Sequence, residues 1–135
     1  MANSTLPPMP PMPAEADYIG GDLTDELHGA VIEYTYTKGN HYRLTFDHDN
    51  HVTFAFLNAP GREPGAPPFV APSLVYRARK IRDGQVFVHW IVQESAIHVS
   101  LIIDLTEKRV HAGAMMPPNR WEFFDTATLQ GIEYR

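Results

Sequence analysis

The chain has no cysteine, which excludes disulfides, thiolate metal centres and cysteine nucleophiles together and fits a cytoplasmic protein. Long apolar runs are missing too. No stretch approaches the roughly 20 residues that a membrane-spanning helix needs, and no charged segment leads into an apolar one at the N-terminus, so the sequence reads as unexported and without a membrane partner. Positive charge is scarce: formal net charge is −5 and the pI about 5.7. The densest basic run, Arg77-Ala78-Arg79-Lys80-Ile81-Arg82, lies inside an alternating pattern and reads as the solvated face of a strand, so no nucleic-acid partner is expected. Helical periodicity is limited to residues 22–27, enough for one short turn.

What is present is proline at the start and alternation thereafter. Residues 1–16 hold Pro7, Pro8, Pro10, Pro11 and Pro13, a composition that blocks helix and sheet and predicts an extended arm. We therefore divide the 135 residues into a flexible proline-rich arm, 1–20, and one domain, 21–135. In that domain strands are expected near 30–37, 41–47, 51–57, 73–81, 85–93, 98–104, 109–115 and 128–134. Most are joined by short polar turns such as Lys38-Gly39-Asn40 and Arg82-Asp83-Gly84. About eight sequentially paired antiparallel strands leave exposed edges unless the sheet closes, so the expected fold is all-β, a single up-and-down barrel able to hold one small ligand. The segment 58–72, rich in proline and glycine, cannot pair as a strand by this reading and would lie as a loop over one barrel mouth.

The densest candidate site is Glu33-Tyr34-Thr35-Tyr36-Thr37-Lys38-Gly39-Asn40-His41-Tyr42. Alternate residues of a strand share a face, so Tyr34 and Tyr36 point the same way and Tyr42 returns beside them across the hairpin. Phenols donate hydrogen bonds to carboxylates or phenolates while their rings form an apolar wall. Ordinary packing of strand aromatics is the alternative.

The order Tyr34-Thr35-Tyr36, Gly39, Tyr42 resembles the first hairpin of phenolic acid decarboxylases and of the wider calycin-like group that includes the MoaF-like proteins. Asp83-Gly84-Gln85-Val86-Phe87-Val88-His89-Trp90 is similar to that group's strand leading to a tryptophan. Val99-Ser100-Leu101, Glu107-Lys108-Arg109-Val110-His111 and Met116-Pro117 extend the likeness. The resemblance implies a lipocalin-like barrel, often a homodimer, whose interior takes a small aromatic or conjugated acid with no metal or organic cofactor. It also implies that Tyr34 and Tyr36 orient an anionic group and that Tyr42 touches the ligand further in, while Val86, Val88, Trp90 and Val92, the strand face in register with the tryptophan, would line the cavity.

Two polar positions of the decarboxylase pattern depart. The family's glutamate falls on Val92, which neither gives nor takes a proton. Glu94 would replace it only if a bulge turned it inward, where His98 is its expected partner. The family's arginine falls on Phe69, leaving Arg62 on the loop as the cation able to reach a ligand. The seven histidines show no zinc spacing, and no metal site is expected. The expected function is therefore that of a cofactor-independent lyase or isomerase, with Tyr34, Tyr36, Glu94 and His98 as catalytic groups, or of a non-catalytic MoaF-like binding protein.

Overall fold

Alternation of inward apolar and outward polar residues along most of the strands suits this sheet to closing into a barrel. In the computed structural model, which describes residues 8, 18–95, 97–116 and 121–135, eight strands follow one another. They are β1 (Ala30–Tyr36), β2 (His41–Phe46), β3 (His51–Asn58), β4 (Phe69–Arg82), β5 (Gln85–Val92), β6 (Ile97–Asp104), β7 (Arg109–Met116) and β8 (Trp121–Tyr134). Each pairs antiparallel with the next, and β8 returns to β1, from Ala30↔Tyr134 to Tyr36↔Ala127. Among the described strands no edge is left unpaired. The expected all-β barrel is the fold observed. The expected arm lies outside the described residues except for Pro8 and 18–20, as do Pro117 and Pro118.

Inward positions carry the core. Ile32, Leu44, Val52, Val86, Val88, Leu101 and Ile103 are buried, and most of their strand neighbours are more exposed, Val31 and Asp104 being the buried exceptions. One end of the barrel is closed from the N-terminal side. Residues 22–27 end not in a helix but in a hydrogen-bonded turn, with the amide of His28 donating to Asp25 and that of Ala30 to Leu27. That turn drives Leu27 into the barrel, where it has no exposed surface. The connections at this closed end are tight, with left-handed residues at Asn50, Gly84 and Lys108. Asp47 receives the amides of Asp49 and His51, and Asp104 that of Glu107. The hairpin 37–40, the loop 59–68 and the 3-10 turn Gln93–Ser95 gather at the opposite end.

Two strands run longer than the sequence predicts. β4 begins at Phe69, and Pro72 lies inside it at a register shift, where Phe54 faces Ala71 but Val52 faces Leu74. Proline has no amide to give the ladder, and a bulge removes the need for one. Ser73 takes a φ of 56° to complete the kink. The unpaired loop is thus 59–68, shorter than 58–72. β8 begins at Trp121 instead of 128, so its first half pairs with β7 from Met116↔Trp121 to Ala112↔Asp125.

Candidate functional site

The three tyrosines meet at the end of the barrel opposite Leu27. Tyr34 stands directly across from Tyr42 in the β1–β2 ladder, and their rings stack with centroids 5.8 Å apart and planes 19° apart. Tyr36, one step further out, meets both rings edge-on, at 5.4 Å and 5.5 Å. The group continues into Phe123 against Tyr36 at 4.8 Å, and into Phe54 and Phe56 against Tyr42 at 5.1 and 5.2 Å. Phe54 in turn faces Trp90. Tyr34 is 1% and Tyr36 7% exposed, and Tyr42 is half-buried. The cluster thus grades from closed interior to open mouth.

Burial governs the acidity of these phenols. It is the largest cause pushing up Tyr34, Tyr36 and Tyr42, because a phenolate loses its hydration there. Mutual repulsion adds to this. A hydrogen bond between Tyr34 and Tyr36 raises the first and lowers the second, the pattern of Tyr34 donating to Tyr36. All three are neutral at physiological pH, and the hydroxyls of Tyr36 and Tyr42 are donors suited to holding an anion and not to taking a proton.

One carboxylate reaches this end of the barrel that sequence reasoning missed. Asp125 pairs with buried Ala112 and shares its face of β8 with Phe123 and Ala127. Its oxygens accept from the Thr37 hydroxyl at 2.8 and 3.0 Å and from the amides of Thr37 at 3.3 Å and Thr126 at 2.7 Å. Its charge contributes to raising Tyr36. The signal was the alternation Phe123, Asp125, Ala127, Leu129, masked by starting the last strand at 128.

Arg62 also comes to the mouth. Its guanidinium lies 4.9 Å above the ring of Phe56 and donates to Leu57 at 3.1 Å and Pro67 at 2.6 Å, pinning both ends of the loop. Phe56 packs on Tyr42, so one ring separates Arg62 from the tyrosines. Phe69 pairs with Phe56 and is 59% exposed at the rim. Pro60 of the same loop covers Gly39, whose φ is 94°. Val86, Val88 and Trp90 are fully buried in the wall, and Val92 is half-buried against the same core.

Glu94 and His98 stand apart from this group. The extra residue before Val99 is absorbed in the turn Gln93–Ser95, and β5 and β6 stay in unbroken register, with Ile91 opposite His98 and Trp90 opposite Val99. Trp90 and Val99 point in, so His98 points out. It is exposed, 3.1 Å from His89 Nδ1 and 3.2 Å from Ser100 Oγ. Glu94 is exposed on the turn. Among the described residues β5 and β6 carry no bulge that would bring either one inward. Among the described residues no group of three or more histidines and carboxylates has metal-binding geometry.

A family model described as MoaF-like matches residues 28–127, most of the chain and seven of the eight strands in full. The protein belongs to the MoaF-like family. Among curated proteins none matches it. In this MoaF-like barrel the match begins just after Leu27, the residue that closes one end, and includes every member of the tyrosine cluster, together with Arg62 and Asp125. No helix among its described residues is long and apolar enough to cross a membrane.

Proposed function

We propose that this MoaF-like barrel binds a small aromatic or conjugated acid, or a phenol, at the mouth formed by Tyr36, Tyr42, Phe56, Phe69 and Arg62. The observation that carries the reading is the graded tyrosine cluster. Its phenols are held neutral by burial, so they can give hydrogen bonds to a carboxylate or phenolate whose flat body lies against Phe54 and Phe56. Arg62, already seated on Phe56, supplies positive charge at the outer edge of the same surface. No metal or organic cofactor is needed for such binding. The barrel is proposed to act in the cytoplasm, with a second copy as its protein partner. Phe124, 84% exposed on the outer wall, is a natural contact for that copy.

A second reading is that of a cofactor-independent lyase or isomerase. Asp125 favours it, because it sets a carboxylate beside Tyr36 at the rim, where proton transfer to a bound conjugated acid would need one. Val92 holds no such group, and decarboxylation of 4-hydroxycinnamate is expected to be poor or absent.

A thermal-shift screen of hydroxycinnamates and related acids tests the binding proposal. A ligand present at a hundred times its dissociation constant adds about 2.7 kcal/mol of stability. No stabilisation by any such acid would remove the proposed ligand class. Product analysis with the acids that do bind then separates the two readings.

A further inference from the structure

We propose that the outer face of β4 and β5 carries a second binding site, for the oxyanion group of a small ligand, built from Arg77, His89 and His98. Arg77 lies directly opposite His89 in the β4–β5 ladder, and His89 directly opposite Ser100 in the next. His98 closes the set through its contacts of 3.1 Å with His89 and 3.2 Å with Ser100. Arg77 and His89 line a groove of about 540 Å³ between residues 18–23 and the barrel wall, together with Tyr18, Arg79 and Phe87, and His98 adjoins it through His89.

The two arginines of this groove are used differently. Arg79 donates to the carbonyls of Gly20 and Asp22 and so straps the N-terminal segment to the wall. Arg77 is half-buried, and its one hydrogen bond among the described residues goes to the carbonyl of its own neighbour Tyr76, at 3.3 Å. It forms no ion pair with a described carboxylate, although Glu33 and Asp83 each hold a basic partner elsewhere on the surface. A half-buried guanidinium opposite an imidazole, with one neighbouring carbonyl to accept from it among the described residues, is positive charge and donor capacity in excess of acceptors. Burial, His98 and Arg77 all hold His89 below the usual imidazole range, which is how a site with uncompensated positive charge behaves. An oxyanion would take two donors from Arg77 and one from the imidazole pair, whose other N–H is held in the contact between His89 and His98. Phe87, 40% exposed, and Tyr18, 72% exposed, offer a surface for an apolar remainder of the ligand.

The test is an NMR titration of the full-length chain near neutral pH with inorganic phosphate, at constant ionic strength made up with chloride, following the side-chain nitrogens of His89, His98 and Arg77. A parallel titration uses acetate. Saturable shifts confined to these three residues support the site. Saturation with phosphate alone assigns the phosphoryl class, and saturation with acetate alone assigns the carboxylate class. Arg77→Gln and His98→Gln, both on the outer wall, should each weaken binding about tenfold. Lys38→Gln, on a distant turn, should leave it unchanged. Shifts that never saturate, or that are the same in both outer-wall variants as in the parent, overturn the proposal as a general salt effect.

Discussion

Replacing Gly39 with alanine tests how the loop 59–68 is held over the tyrosine mouth. Gly39 has a φ of 94°, and a Cβ built on it would lie 2.7 Å from Cγ and 3.0 Å from Cδ of Pro60. Two costs therefore combine. The backbone conformation penalises an L side chain by about 1–2 kcal/mol, and forcing a methyl group into a filled contact adds about 1–3 kcal/mol. The expected loss is about 2–5 kcal/mol by urea denaturation, provided the loop stays in place. Pro60→Ala removes the overlapping atoms, and because Pro60 is exposed it should cost no more than about 0.5 kcal/mol alone. In the double variant only the backbone penalty remains, so the cycle should show a coupling of about 1–3 kcal/mol, with the loss in Gly39→Ala partly restored. Zero coupling, or a loss below about 0.5 kcal/mol in Gly39→Ala, would refute the contact between loop and hairpin.

Other perturbations probe the core. Leu27→Ala empties the plug at the closed end and should cost about 2–5 kcal/mol in the same denaturation assay; a cost below about 1 kcal/mol would mean that the barrel closes without it. The hydroxyl of Tyr76 is buried without a hydrogen-bond partner among the described residues, so Tyr76→Phe should be neutral or stabilise by up to about 1 kcal/mol, and a clear loss of stability would reveal an acceptor. Burial, then the charges of Asp47 and Asp25, push that phenol up to about 12. A raised pKa means that the folded state keeps a proton which the unfolded state releases near pH 10. Its contribution to stability is therefore full below pH 10 and is lost as pH rises toward about 12. Denaturation midpoints measured across that range should fall in the parent and fall less steeply in Tyr76→Phe.

The barrel was legible because its strands largely alternate and most of its turns carry glycine or asparagine where positive φ is needed, Lys108 being the exception. Pro72 hid the start of β4, since a proline argues against a central strand unless a bulge takes it, and bulges have no clear sequence mark. The tyrosine hairpin was legible because two-residue periodicity and a tight turn leave three rings little freedom. Asp125 was not legible, because a carboxylate on an inward register reads as a turn residue until the strand containing it is recognised. Glu94 and His98 depended on where one extra residue is absorbed. A turn and a bulge use the same residue count but differ in which face follows, and here the turn Gln93–Ser95 left the alternation of β6 in phase with β5.

The most direct test of the tyrosine mouth is calorimetric titration of 4-hydroxycinnamate into the parent and into Tyr36→Phe and Tyr42→Phe. Removing one hydroxyl that donates to a charged ligand group should weaken binding by about 1.5–3 kcal/mol, roughly ten- to a hundredfold, with the fold retained. Saturable binding in the parent, weakened in both variants, is the expected result. Undiminished affinity in both variants would place the ligand elsewhere, and no heat of binding in the parent would contradict the proposed function itself.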